Sequence, residues 1–159
     1  MNKDNSLERV AELMKDFGTA EKALRGRMVI RTTPEKVRDA VRACTERLHC
    51  DRLITISAAD EATGIELIYH FTGPHRNVIS ISVMVPRDNV LLPTLSDLLP
   101  PAGILERQIH DLFGVEFTGH PGLKKLMLNE DWPENEFPLR KDWKQGVDTF
   151  YGGTRTEAE

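Results

Sequence analysis

The sequence predicts an α+β fold: a mixed sheet of about four strands with helices on one face, plus an extended C-terminal tail. Three observations predict it. Up to residue 86, the periodicity runs helix, strand, helix, strand, strand, strand. The last three strand-like runs are joined by short turn-rich connections, which favours an antiparallel meander. After residue 114, no helical or strand periodicity lasts beyond about one turn, apart from "LKKLML".

The first part of the chain supplies a helix, a strand and a second helix. Apolar side chains recur at helical spacing over residues 6–17, and Gly18 is placed to end that helix. Residues 23–31 alternate between apolar and arginine side chains, as expected of a half-buried strand. Thr33 and Pro34 then supply an N-cap and a first-turn proline for the second helix.

Three strand-like runs follow, at residues 53–57, 65–72 and 78–86. In the last run, alternate apolar residues face one way while Ser80 and Ser82 face the other. His70 on the polar face and His75 in a turn are expected to be exposed, as histidines in such places usually are.

A third helix is predicted over residues 104–113 and should end at Gly114. Its apolar stripe consists of Ile104, Leu105, Ile109, Leu112 and Phe113. Glu106, Arg107 and Asp111 fall on the other side. They predict a charged cluster that either fixes the corner between helix and tail or pairs with a partner.

Length and charge narrow the class of protein. A chain of 159 residues, 40% hydrophobic and 29% charged, has the size and composition of one globular domain. Residues 1–60 carry 12 Lys or Arg against 10 Asp or Glu, so there is no basic face of the kind that binds nucleic acid. The first residues lack an apolar signal segment, and no apolar run approaches the length of a membrane span. We therefore expect membrane association only through partners.

Candidate catalytic and metal sites are weak. Cys44 and Cys50 form neither a redox motif nor a cluster-binding set, and are expected to be one buried thiol in a helix and one at its end. His110, Asp111 and His120 lack the spacing of a metal site, because a helix stop separates the two histidines. A small autonomous metal-dependent enzyme is an alternative that fits these patterns poorly.

The tail carries the features of a partner-binding segment. The "GHPG" corner at residues 119–122 is rigid, and the prolines of "DWPENEFPLRKDW" force an extended chain. Such a strip must lay its apolar anchors, Trp132 and Leu139 among them, on its own domain or on a neighbour. We expect an α/β domain over residues 1–114 and an extended partner-binding tail over 115–159.

The segment "LERQIHDLFGVEFTGHPGLKKLML", followed by "EDWPENEFPLRKDW", resembles the signature of the C-subunit family of respiratory complex I. The matching residues are Glu106, Arg107, Asp111, Phe113, Gly114, Gly119, His120, Pro121, Asp131, Trp132, Pro138, Leu139, Arg140, Lys141 and Asp142. Gln108 departs from the pattern, where the family usually has a second glutamate. "DWPENEFPLRKD" also departs from the respiratory form. It is more similar to the related subunits of membrane-bound, energy-converting nickel–iron hydrogenases.

The resemblance implies a non-catalytic structural subunit in the hydrophilic arm of a membrane-bound complex, at the cytoplasmic face of the membrane. It implies docking on a hydrogenase-like large subunit and on iron–sulfur subunits. The iron–sulfur clusters, and in the hydrogenase branch a nickel–iron centre, would be in those partners, with no cofactor on this chain. The alternative branch is the C-subunit of an NADH:quinone oxidoreductase. The expected partner-binding residues are Glu106, Arg107, Asp111, His120, Trp132, Leu139, Arg140, Lys141 and Asp142.

Overall fold

The computed structural model describes residues 4–23, 27–73 and 78–144, and the side chains from residue 8 onward within those ranges. Its elements are α1 (Asp4–Met14), β1 (Thr19–Lys22), β2 (Arg27–Thr32), α2 (Val37–Leu48), β3 (Arg52–Glu61), β4 (Gly64–Thr72), β5 (Val78–Val85), β6 (Leu91–Pro93), α3 (Ala102–Phe113) and β7 (Glu116–Thr118). None of these helices is both long and apolar enough to cross a bilayer.

The main sheet has five strands in the order β1-β2-β5-β4-β3. Strands β3, β4 and β5 form the predicted antiparallel meander, and β2 pairs with β5 in parallel, so the α+β class and the mixed sheet are confirmed. Two features differ from the expectation of about four strands. Strand β1 adds an edge to the sheet, and β6 and β7 form a separate two-stranded parallel sheet.

One face of the main sheet forms the core with the helices. Ile30, Ile81, Tyr69 and Ile56 stand directly opposite one another across β2, β5, β4 and β3, and all four are buried. Buried side chains of α1 and α2, such as Met14, belong to the same cluster. Because side chains alternate between the two faces of a strand, the apolar ones lie together on the face that the helices cover, as predicted.

The opposite face carries a polar network. The His70 ring bridges the hydroxyls of Ser57 and Ser80, at 3.1 and 2.9 Å. Arg31 and Ser82 both bond to the Glu66 carboxylate. His70 is therefore half-buried rather than simply exposed, and burial lowers its pKa, with a smaller contribution from Arg27. His75 lies outside the described residues.

The predicted apolar stripe of α3 is only partly correct. Ile104 is 58% exposed, whereas Glu106 and Asp111 are buried, at 0% and 3%. The reason is that the segments flanking α3 cover its charged side, so the charged residues face the interior of the chain. The helix ends as predicted at Gly114, whose φ is +70° and whose N–H donates to the carbonyl of His110 at 2.8 Å.

Candidate partner-docking site

Glu106 ties α3 to the segment that follows β6. One carboxylate oxygen, Oε1, accepts the Leu95 N–H at 2.7 Å, and the other, Oε2, accepts the Thr94 hydroxyl. His120 Nε2 lies 4.0 Å from Oε2. Burial raises the pKa of Glu106, and the bonds from Thr94 and Leu95 and the His120 ring oppose that shift. Of the predicted charged cluster, Glu106 is thus buried inside the chain, where it holds α3 to the segment after β6.

His120 fixes the corner where the tail begins. Gly119 has a φ of +83°, which lets the chain turn there. The N–H of Gly122 donates to His120 Nδ1 at 3.1 Å, so the ring proton is on Nε2 and donates to the Gly103 carbonyl at 2.9 Å. The imidazole is 4% exposed and thereby joins the first turn of α3 to the tail.

Arg107 and Asp111 do not act as a pair but each bind the backbone of the tail. The Arg107 guanidinium donates to the carbonyls of Lys124 and Lys125, at 2.9 and 2.8 Å. Asp111 Oδ2 accepts three consecutive N–H groups from residues 126–128, at 2.6, 2.7 and 3.3 Å. Because a proline-rich, irregular segment has few internal hydrogen bonds, these side chains supply the partners that its backbone needs.

A second attachment lies at the C-terminal end of α3. The Leu139 N–H donates to the Leu112 carbonyl at 3.1 Å, and Arg140 Nε donates to the Phe113 carbonyl at 2.7 Å. The Arg140 guanidinium also lies over the Phe137 ring, 4.5 Å from its centroid. The final carbonyls of the helix are thus capped by the tail.

Asp60 provides a third attachment, which sequence reasoning missed. This buried carboxylate at the end of β3 accepts the Lys141 N–H at 2.7 Å and a bond from the Arg87 guanidinium. Arg87 also lies 3.9 Å from the Asp142 carboxylate. A single aspartate at the end of a strand-like run gives no sequence signal for a contact with a segment 81 residues away.

The two tryptophans pack on each other. The rings of Trp132 and Trp143 stack with centroids 5.9 Å apart, and their N–H groups donate to the Glu136 carbonyl and carboxylate respectively. Both rings remain half-buried. Trp132 is therefore part of the local fold of the tail as well as a candidate anchor.

The described tail accordingly lies on its own domain up to residue 144. The sequence left open whether the tail lies on its own domain or on a neighbour. Its backbone is bound by its own domain, through the Arg107, Asp111 and Asp60 side chains and the last carbonyls of α3. Apolar side chains that stay exposed are Leu126 at 37%, Met127 at 56% and Leu139 at 52%. Contact of the nine expected residues with a partner stays a prediction. Residues 145–159 lie outside the described part.

Within the described residues, no group of three or more His, Cys, Asp or Glu side chains could hold a metal ion. Cys44 is buried in α2 and Cys50 is buried just after it, as predicted. Hydrogen bonding with Cys50, and then burial, raises the pKa of the Cys44 thiol. The two thiols therefore behave as part of the core.

The chain resembles solved structures of two proteins. It superposes with a TM-score of 0.63 on the trypsin-resistant fragment of Nqo5, at 23% identity, over 77% of this chain and 100% of that one. It superposes with a TM-score of 0.73 on a chain of the membrane-bound sulfane sulfur reductase, an archaeal respiratory membrane complex. That match is 27% identical and covers 88% of this chain and 86% of the other. The fold is thus that of a respiratory-complex subunit.

Sequence comparison identifies the family. The sequence matches the "Respiratory-chain NADH dehydrogenase, 30 Kd subunit" family over residues 30–148, and the chain belongs to that family. The NADH-quinone oxidoreductase C-subunit of Roseiflexus castenholzii is 31% identical over 89% of this chain and 84% of its own length. The same protein of Roseiflexus sp. is 33% identical over the same shares. The predicted family is therefore confirmed.

Proposed function

We propose that this chain is a non-catalytic docking subunit in the hydrophilic arm of a membrane-bound redox complex, in the energy-converting nickel–iron hydrogenase branch of its family. The observation that carries the proposal is that hydrogen bonds to α3 and β3 hold the tail on its own domain. Glu106, Arg107 and Asp111 direct their polar groups to the backbone of their own chain. Asp111 binds the amide of Met127, and the Leu112 carbonyl binds the amide of Leu139. Both apolar side chains are thereby exposed on a fixed surface, which suits recognition of another protein rather than chemistry on a small substrate.

The partners in this proposal are a hydrogenase-like large subunit and iron–sulfur subunits of the same complex. The names of the curated relatives, subunits of an NADH-quinone oxidoreductase, support assembly into a multisubunit complex. Clusters and any nickel–iron centre belong to the partners. The chain would lie at the cytoplasmic face of the membrane and reach the membrane only through those partners.

Two branches of the family compete. The hydrogenase branch is supported by the form of the segment "DWPENEFPLRKD", which is more similar to the hydrogenase-related subunits. The quinone-reducing branch is supported by the curated relatives, which are named for quinone reduction. Likeness to a sulfane sulfur reductase complex supports the view that family membership alone does not fix the electron acceptor.

The proposal is tested by purifying the chain from its native membranes through an affinity tag. We expect a large subunit and iron–sulfur subunits to purify with it in fixed ratio, and nickel to be found in the large subunit. Hydrogen evolution from reduced methyl viologen would then accompany the purified complex. Quinone reduction by NADH without nickel would assign the other branch. Purification of the chain alone, with an activity of its own, would contradict the docking role.

A further inference from the structure

A cavity of about 260 Å³ lies between α3 and the tail. Carboxylates from both sides line it, together with the aromatic rings of the tail: Asp111, Glu116, Glu134, Glu136, Trp132 and Phe137. Pockets for drug-sized ligands usually measure about 300–1,000 Å³. This cavity is therefore sized for a single side chain rather than for a cofactor.

The charge of the lining is strongly negative. Its four carboxylates face one lysine, Lys125, and the ammonium group of that lysine is already bound by the carbonyls of Trp132 and Glu130. His110, which also lines the cavity, donates from Nδ1 to the Val115 carbonyl at 3.0 Å. A group that enters this space is thus favoured if it is positively charged.

Asp111 gives an independent indication of a missing donor. Its Oδ2 atom accepts three N–H groups, but the Oδ1 atom is buried and has no hydrogen-bond partner among the described residues. Buried carboxylate oxygens almost always accept hydrogen bonds, because an unpaired one loses its hydration without compensation. Asp111 is 3% exposed and lines the cavity, so a group that enters the cavity is placed to supply that donor.

We propose that the cavity receives an arginine side chain of the large subunit on which the chain docks, with the guanidinium donating to Asp111 and to the glutamates of the rim. The planar fork of arginine can serve several carboxylate oxygens at once, and its flat face packs against aromatic rings. The neighbouring Arg140–Phe137 contact is of the same kind. The inference rests on the proposed docking function and adds the residue type that the partner presents.

The test uses the full chain co-expressed with the large subunit of the same complex. Glu134→Lys reverses a charge in the lining, and Glu130→Lys reverses an exposed charge on the same segment outside it. We expect Glu134→Lys to weaken binding at least about ten-fold, with a flatter salt dependence than the wild type. Glu130→Lys should bind like the wild type.

Asp111→Asn tests the inner part of the cavity. The amide oxygen of Asn can still accept the N–H groups of residues 126–128, while its NH2 group would face the incoming guanidinium. We expect unchanged hydrogen exchange of those amides in the free chain, together with weaker binding. When the matching arginine of the large subunit is replaced by alanine, Glu134→Lys should weaken binding no further, because the group that Glu134 meets is already gone.

Three outcomes decide the matter. If Glu134→Lys and Glu130→Lys bind the large subunit equally well, the arginine site is overturned and the docking role stands. If the wild-type chain does not bind the large subunit at all, the docking role fails, and the arginine site fails with it. If Glu134→Lys destabilises the free chain and leaves binding unchanged, the cavity holds a cation of this chain, which also overturns the inference.

Discussion

The Glu106 side chain is fully buried and accepts two hydrogen bonds. Its protonation depends on whether burial or hydrogen bonding has the larger effect on its pKa. Leu95 and Thr94 donate to its two oxygens, which favours the charged form. Burial favours the neutral form and is the larger effect, so the pKa is raised from its usual value of 4.5. A protonated Glu106 can instead donate to the Thr94 hydroxyl, so the hydrogen bond between these two side chains is kept.

We predict that Glu106→Ala lowers the free energy of unfolding by about 2–4 kcal/mol, because it opens a cavity and leaves the Leu95 N–H unpaired. Glu106→Gln should cost less than about 1.5 kcal/mol, since its oxygen can accept the Leu95 N–H while its NH2 group donates to Thr94. Urea unfolding of the two variants and the wild type measures both values. Equal losses would contradict the proposed hydrogen-bond roles.

The same residue predicts a pH dependence. Because the folded-state pKa of Glu106 is raised above the ordinary 4.5, its contribution to stability is fully present below that pH. The contribution is lost as the pH rises through the raised folded-state pKa. We therefore expect Glu106→Gln, which cannot ionise, to gain stability relative to the wild type over that rise. A difference between the two proteins that stays constant with pH would contradict this.

The sequence could indicate the corner residue but not the buried carboxylates. "GHPG" predicts a rigid turn, and His120 is found with both ring nitrogens bonded there. Glu106 and Asp111 were predicted to face away from the core, because periodicity counts a carboxylate as a surface residue. Their partners are main-chain N–H groups 11 and 15–17 positions away, which every residue type except proline provides and no motif marks.

Among the strands and helices, the longer ones with a clear apolar pattern were predicted from the sequence. The shortest strands were not. Strands β3, β4 and β5 are eight to ten residues long. Strand β1 is four residues long and mostly exposed, and β6 is three residues long and contains Pro93. These strands exist because of their pairing with β2 and β7, so tertiary contacts rather than local pattern decide them.

Gly114 is the element boundary on which the tail depends. It ends α3 with a φ of +70°, and a Cβ atom placed there would lie 2.4 Å from the Phe137 ring. We predict that Gly114→Ala lowers the free energy of unfolding by at least about 1–2 kcal/mol from the backbone conformation alone. It should also displace the contacts of Phe137 and Leu139. Hydrogen exchange should then become faster at the Leu139 amide.

Gly122→Ala is the matched control for that prediction. It is a glycine of the tail, eight residues after Gly114, and a Cβ atom there would meet nothing within 4 Å. We expect unfolding and exchange like those of the wild type. Equal destabilisation by the two substitutions would mean that the tail tolerates no added methyl group anywhere, and that the contact of Gly114 with Phe137 has no special role.

At the scale of the whole molecule, the sequence was enough to predict the family but not the way in which the tail packs. The motif that supports the family assignment is long and spans both α3 and the tail, with Arg107 and Asp111 on the helix and Arg140 in the tail. Structurally, those three residues bind carbonyl and N–H groups of the main chain. Spacing alone left open whether the anchors pack on their own domain or on a neighbour, since both choices bury the same side chains.

The main chain of the tail and its exposed side chains should behave differently when no partner is present. The amides of residues 126–128 and of Leu139 and Lys141 are bonded within the chain, so we expect them to be protected from hydrogen exchange even without a partner. The side chain of Leu139, unlike its amide, is 52% exposed. Its exposed half is therefore available to the large subunit.

Leu139→Ala should leave the free energy of unfolding within about 0.5 kcal/mol of the wild type, as substitutions at exposed sites usually do. It should weaken association with the large subunit about three- to ten-fold, the amount expected for burying half a leucine. Ile54→Ala is the control, because Ile54 is an apolar side chain of similar exposure, 51%, on β3 rather than in the tail. Trp132→Ala should weaken association as well, but with some loss of stability, since it also removes the stack with Trp143. Association that is unaffected by Leu139→Ala, or affected equally by Ile54→Ala, would move the docking surface elsewhere on the domain.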